Sequence, residues 1–193
     1  MRIVGIDEVG RGCLAGPVVA SAVLLDTASS KILEKMHLTD SKCMTMKQRE
    51  AAYDSIVEHA LAYGIGWSSH QDVDSFGLTH AIALAMQQAL DAIKLEYSRV
   101  IIDGNYNFLP NNIKVITKIK ADATEISVSA ASILAKVARD RFMKEQAAIY
   151  PQYGFEKHVG YGTKLHLSAL KTHGPSRIHR YSVKPVALYS TIL

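Results

Sequence analysis

Residues 2–25 read RIVGIDEVGRGCLAGPVVASAVLL. Arg2 to Glu8 has the length and apolar content of a buried strand and Gly16 to Leu25 of a second. Gly10-Arg11-Gly12 turns the chain between them, so the sequence opens on a β-hairpin. Two adjacent carboxylates, Asp7 and Glu8, stand where the first strand leaves the core. Burying an unpaired carboxylate is costly, so both require a partner.

Outward from the hairpin, strands and helices alternate. Thr45-x-x-Gln48 has the spacing of a capping box, and Tyr53, Ile56, Val57, Ala60 and Leu61 recur at helical intervals, which predicts a helix ending near Gly64. Tyr63, Ile65 and Trp67 alternate with Gly64, Gly66 and Ser68, the period of a strand whose glycine face meets a close neighbour. A short polar turn leads to Gly77 and a helix with the stripe Leu78, Ile82, Met86, Ala89, Leu90 and Ile93. Val100-Ile101-Ile102 reads as a buried strand stopping at Asp103-Gly104-Asn105, and IKVITKI as another leading to Asp122. Thr124 to Tyr150 gives the longest helix, ended with the help of Pro151. This order predicts an α/β fold whose opening hairpin makes the sheet mixed. Residues 1–152 form the main domain, and 153–193 a basic extension packed on it, including the helix-like KLHLSALKTHG.

The chain has 193 residues, 48% hydrophobic and 21% charged, enough for one substantial soluble domain. No stretch approaches the roughly 20 apolar residues of a membrane span, and Asp7 and Glu8 interrupt the first apolar run too early for a secretory signal. A cytoplasmic location is expected, and a monomer, since no heptad or large apolar face stands out. Cys13 and Cys43 lack a C-x-x-C partner, against a disulfide framework or thiolate zinc site. From Lys157 to Leu193 there are six Lys or Arg and no Asp or Glu. That tract also carries His158, His166, His173, His179 and Tyr161, a pattern that commonly contacts polyanions, although a solvated basic tail has the same composition.

Asp7 with Glu8, Asp103 and Asp122 each lie at or beside the end of an apolar segment. Ligands in open α/β sheets bind beyond the carboxyl ends of strands, so Asp7 and Asp103 can meet there if their strands are neighbours. Four gathered carboxylates repel one another unless a cation is present, and oxygen donors favour Mg²⁺ or Mn²⁺ over zinc. Two such ions can activate water on one side of a phosphodiester and stabilise the leaving oxygen on the other. Successive strand residues point to opposite faces, so Asp7 and Glu8 reach one ion only if the strand bends, which Gly10 and Gly12 make plausible. Local alternatives stand beside this reading: Asp103 as a turn residue, Asp122 as a helix N-cap, and Gly-Arg-Gly as a tight turn with an exposed arginine.

The segments GIDEVGRG, LAGPVVA, LTDSK, IIDGN, SAASILAKVARDR, YPQYGFEKHVGYGTK and GPSRIHR, in this order from Val4 to Val186, resemble the motifs of ribonuclease HII. The resemblance implies a ribonuclease H-like mixed sheet flanked by helices, with a C-terminal helical extension. It implies endonucleolytic cleavage of the RNA strand of RNA–DNA hybrids, and incision 5′ of ribonucleotides embedded in duplex DNA, using two divalent ions. It assigns Asp7, Glu8, Asp103 and Asp122 to the metal-binding and catalytic set, Gly10-Arg11-Gly12 to sensing the ribose 2′-hydroxyl, and Tyr161 to the sugar at the RNA–DNA junction. Backbone lacking a Cβ is what can approach a sugar that closely. Lys42, Lys164 and the tail arginines are candidate phosphate contacts. Cys43 and Met44, Val159, Ala121 and Tyr181 depart from the expected pattern. Two of these changes remove cations and predict weaker phosphate binding. A non-catalytic nucleic-acid-binding module and a nuclease acting on plain DNA are the competing readings.

Overall fold

The strand Val18–Leu25 is buried at every position, which only a sheet covered on both faces provides. The computed structural model describes residues 1–36 and 44–190. Its elements in chain order are β1 (Ile3–Val9), β2 (Val18–Leu25), α1 (Thr27–Lys35), α2 (Met46–His59), β3 (Ala62–Ser68), α3 (His70–Phe76), α4 (Leu78–Asp91), β4 (Arg99–Asp103), β5 (Val115–Lys118), α5 (Ala121–Thr124), α6 (Ile126–Ile149), α7 (Phe155–His158), α8 (Lys164–His173) and α9 (Lys184–Ala187). The strands form one sheet in the order β3-β2-β1-β4-β5. The expected hairpin pairs antiparallel from Ile3 with Leu25 to Val9 with Val19, and β4 joins β1 in parallel, so the sheet is mixed.

The two faces follow the alternation of side chains along each strand. Val4, Ile6, Val18, Ala20, Ala22 and Leu24 face α4, whose stripe of Ala81, Ile82, Ala85, Met86 and Ala89 is buried against them. Val23 and Leu25 face the other way, onto α1, α2 and α6. Glycines set the closest approach on both faces. A Cβ on Gly66 would stand 1.9 Å from the Ala85 carbonyl oxygen, and one on Gly5 would stand 2.2 Å from the Ser127 backbone. The glycine face of β3 does meet a close neighbour, and that neighbour is α4.

Several expected boundaries move. The helix at Thr45 has its capping box, Thr45 with Gln48, but ends at His59 because Ala62–Ser68 pairs with β2. Five helices were not anticipated: α1, capped by Asp26 accepting from the N–H groups of Ala28 and Ser29, α3, which occupies the polar segment before Gly77, and the four-residue α5, α7 and α9. The long helix begins at Ile126, since Glu125 is extended and separates it from α5. Asp122 is therefore not an N-cap; it lies inside the first turn of α5.

The segment from Tyr153 onward packs on the body through Leu14, Ala15, Met143, Tyr153, Phe155, Leu170 and Val186. Asp74 of α3 holds it at a second place by accepting from the N–H groups of Tyr181 and Ser182 and from the Ser182 hydroxyl. Among the described residues, no helix is long and apolar enough to cross a membrane.

Candidate active site

Ile6 and Ile102 are the last pair of the parallel β1–β4 ladder, and the residue after each is an aspartate. There β1 continues in register with β2 while β4 leaves it, which opens a gap at the edge of the sheet. Asp7 shares the face of Gly5, against α6, where it hydrogen-bonds Ser132; Glu8 shares the face of Ile6 and meets Arg11. No bend of the strand is needed. Because the gap lies at the sheet's edge, side chains from both faces reach it, and Asp7, Glu8 and Asp103 all line one cavity of about 510 Å³.

Val9, Gly10, Arg11, Gly12, Ser132, Lys136 and Tyr161 complete that lining. Asp122 does not line it. It is buried one residue beyond Ala121, whose N–H donates to Asp103 Oδ1 at 2.7 Å, so α5 is fastened to the cavity's edge through Asp103. Lys164 is exposed at the start of α8, outside the lining, and Lys42 lies outside the described residues.

The acids are electrostatically strained. Burial first, and then the adjacent Glu8 charge, pushes the Asp7 carboxyl well above the usual carboxylate range, while Ser132 and the Glu8 N–H pull it back. Burial also raises Glu8, against the pull of Arg11, whose Nη1 lies 2.9 Å from Oε1. Glu8 Oε2 is buried with no hydrogen-bond partner. An orphaned carboxylate oxygen beside two further carboxylates fits a hard cation, which would satisfy the oxygen and relieve the repulsion. Among the described residues, no three His, Cys, Asp or Glu stand close enough to enclose an ion by themselves. The fit therefore rests on donor chemistry rather than on a formed cage.

The loop between the strands is held from behind by two arginines that sequence reasoning did not place there. Arg139 of α6 donates from Nε to the Pro17 carbonyl at 2.9 Å, from Nη2 to Ala15 at 3.0 Å and from Nη1 to Val159 at 2.8 Å. Arg180 donates from Nε to Gly16 at 3.0 Å and from Nη1 to Arg11 at 3.1 Å and Cys13 at 3.2 Å. Both are buried, and desolvation lowers the Arg180 pKa to about 10. Arg180 is thus a loop clamp and not the phosphate contact expected of a tail arginine. His158, His166 and His179 are likewise buried, which takes them out of the basic tract as polyanion contacts; Lys157, Lys164, Lys171, Arg177 and Lys184 remain exposed. Runs of carbonyl acceptors could not have marked these arginines in the sequence, because their partners lie more than a hundred positions away for five of the six bonds.

Within the loop the two glycines have different reasons. Gly10 has φ +94°, and a Cβ there would stand 2.5 Å from Arg139 Nε, so the fold demands glycine. At Gly12 a Cβ would meet no atom within 4 Å, and no positive φ is involved. Its missing side chain leaves backbone bare on the cavity wall. Tyr161 faces the same loop: it forms an isolated antiparallel bridge with Cys13, next to a Leu14 N–H bond to the Gly160 carbonyl at 2.8 Å. The residue is 39% exposed, enough to meet a ligand.

The family model for ribonuclease HII matches residues 4–186. The chain belongs to the ribonuclease HII family. It is similar to the ribonuclease HII of Marinomonas sp. (strain MWYL1), 47% identical over 186 residues that cover 95% of this chain and 90% of that one. Its fold is similar to the crystal structure of ribonuclease H2 from Pyrococcus horikoshii OT3, with TM-score 0.85 and 25% identity over 100% of this chain and 98% of that one. It is also similar in fold to Bst-RNase HIII in complex with Mn²⁺, with TM-score 0.77 and 19% identity over 100% of this chain and 70% of that one. The ribonuclease H-like architecture expected from the motifs is therefore present. The protein is an endoribonuclease, a hydrolase that cleaves the RNA strand of RNA–DNA hybrids.

Proposed function

We propose that this ribonuclease HII also incises duplex DNA on the 5′ side of a single embedded ribonucleotide, leaving 5′-phosphate and 3′-hydroxyl ends. Its action would then be the removal of ribonucleotides from DNA, in the cytoplasm. The observation that carries this reading is one cavity lined at once by Asp7, Glu8 and Asp103, by the bare backbone at Gly12 and by Tyr161.

Asp7, Glu8 and Asp103 would hold the divalent cations, Mn²⁺ or Mg²⁺, with Asp122 contributing from the turn fastened to Asp103. When bound, such ions supply a water nucleophile at neutral pH and stabilise charge on the leaving ribose 3′-oxygen. The chain's own groups supply recognition and alignment. Main-chain groups of Gly10–Gly12 meet the ribose 2′-hydroxyl, the one group that distinguishes RNA from DNA at the cut. Tyr161 presents its ring to the neighbouring sugar. Arg11 opposes the rise that burial imposes on Glu8, and its guanidinium sits on Oε1, which leaves Oε2 for a cation. Lys136, paired with Asp140 at 2.7 Å, places positive charge on the cavity wall where a phosphate enters.

The test is nicking of duplex DNA carrying one internal ribonucleotide, with Mn²⁺ or Mg²⁺ and with chelator, the cut mapped to the nucleotide. Cleavage 5′ of the ribonucleotide that requires the cation, with the all-deoxy duplex left intact, is the expected result. Cutting of the all-deoxy control at the same rate would overturn the ribose-reading role of the loop.

A further inference from the structure

Three imidazoles that the chemistry above does not use lie buried behind Tyr161. His158 ends α7, His166 sits in the first turn of α8, and His179 lies in the segment that leads to Arg180; at most 6% of any of them is exposed. His158 and His166 stack with ring centroids 4.4 Å apart and planes at 14°. Tyr153 and Phe155 pack around His166 and His179.

Every ring nitrogen of the three is engaged, and the backbone fixes the direction of each bond. The Ser176 N–H donates to His179 Nδ1 at 2.9 Å, so that nitrogen carries the lone pair and the proton of the neutral ring is on Nε2. His179 Nε2 lies 2.9 Å from His166 Nε2, which must then accept, leaving the His166 proton on Nδ1. His166 Nδ1 lies 3.0 Å from the Tyr161 carbonyl oxygen, which can only accept. The Gly160 N–H donates to His158 Nδ1 at 3.2 Å, so His158 donates from Nε2 to the Tyr153 carbonyl at 2.8 Å. A peptide N–H cannot reverse its role. The chain Ser176 to His179 to His166 to Tyr161 therefore runs one way, from the GPSRIHR segment to the tyrosine at the cavity.

At its far end the relay meets a residue already held from the other side. The Tyr161 carbonyl also accepts from Thr163 N–H at 2.8 Å, and its backbone bridges to Cys13 in the loop that Arg139 and Arg180 clamp. We infer that His166 and His179 are positioning residues for Tyr161, fixing its main chain against the Gly10–Gly12 loop so that ring and loop grip the same sugar. The inference rests on the proposed role of Tyr161 as the residue that meets that sugar. It makes His166 and His179 part of substrate recognition although both are buried and neither touches substrate.

A cleavage assay on duplex DNA with one ribonucleotide and Mn²⁺, run in two backgrounds, reads this directly. In the wild-type background His166→Leu lowers kcat/KM about tenfold, because a loosened contact residue costs alignment. In a Tyr161→Ala background the same substitution causes no further loss, and His166→Asn, whose amide N–H takes the place of Nδ1–H, retains most of the wild-type rate. An equal loss in both backgrounds, or no advantage of Asn over Leu, overturns the inference and marks His166 as packing alone. Long-range ¹⁵N–¹H spectra of the unsubstituted enzyme test the relay without any variant. They show His166 protonated on Nδ1 and His179 on Nε2 near neutral pH; the reverse tautomers overturn the relay while leaving the role of Tyr161 intact. Wild-type cleavage by Tyr161→Ala, with the tautomers as stated, overturns the reading of Tyr161 and with it the positioning role.

Discussion

The Arg180 guanidinium donates to the main-chain carbonyl of Arg11, 169 positions earlier in the chain, at 3.1 Å. The same side chain holds Cys13 and Gly16, so one buried cation gathers three carbonyls of the loop that lines the cavity. Leaving buried carbonyls unpaired costs about 1–3 kcal/mol each. Arg180→Met is expected to lose at least about 3 kcal/mol of stability in urea unfolding. Arg180→Lys should lose less, since its ammonium keeps part of these acceptors paired, yet it cannot reach all three as the planar fork does. Equal stability of Arg180→Met and wild type would show that the loop stands without the clamp.

Gly10 and Gly12 separate structure from function. Gly10→Ala places a Cβ at positive φ against Arg139, and a melting scan is expected to show a loss of about 1–2 kcal/mol or more. Gly12→Ala meets nothing in the fold, so its melting temperature should match wild type. Its cleavage at a single ribonucleotide should nonetheless fall about tenfold or more, because a methyl group stands between backbone and ribose. Full activity of Gly12→Ala would remove that stretch of backbone from ribose recognition.

Asp7, proposed as a cation ligand, is held at a cost to stability. Its folded pKa is raised, so its contribution to stability is present below the ordinary carboxylate range and lost as pH rises through the raised value. At neutral pH in chelator, Asp7→Asn is therefore expected to melt higher than wild type while losing nearly all turnover. Added Mn²⁺ should raise the melting temperature of wild type more than that of the variant. A lower melting point for Asp7→Asn in chelator would contradict the strain assigned to this carboxyl.

The histidine cluster gives the opposite pH dependence. Burial lowers His166 to about 4, and burial with the neighbouring His166 lowers His179 to about 3. His158 and His70 also face this cluster, and no carboxylate is among the groups that shift it. A group depressed in the fold contributes stability above its unfolded pKa, near 6.5 for histidine, that is lost as pH falls through the folded value. Unfolding free energy should thus decline from about pH 6.5 down to about pH 4, with a steeper slope for wild type than for His166→Asn. Parallel slopes in denaturant titrations across that range would place the acid sensitivity elsewhere.

Lys136 offers a test of the cavity's polarity. It lines the cavity from α6 and is paired with Asp140. Lys136→Met should raise KM several-fold and make the salt dependence of KM shallower, as losing one phosphate contact does. An unchanged salt slope would show that Asp140 keeps this ammonium occupied.

How much of this was legible beforehand depends on the range of the interaction that decides each feature. The strand pair Arg2–Leu25, the capping box at Thr45 and the stripe of α4 are local patterns, and the sequence shows them nearly where the fold puts them. The helices α1 and α3 escaped because they are short and polar, held by the side-chain caps Asp26 and Ser69 more than by an apolar stripe. Asp7 and Glu8 were visible as charge beside a buried run, and the motif order from Val4 to Val186 identified the family.

Tertiary structure alone decided what those residues face. It brought Asp7, Glu8 and Asp103 to one cavity where the β1–β4 ladder stops at Ile6 and Ile102, and placed Asp122 inside α5, fastened to that cavity's edge through the Ala121 N–H bond to Asp103. It turned Arg180 into a buried clamp and the tail histidines His166 and His179 into a buried relay, although all three are basic in composition. The physical reason is one of reach. Periodicity and spacing report neighbours within a few residues, whereas the charge state and partner of a buried side chain are set by groups brought close from far along the chain.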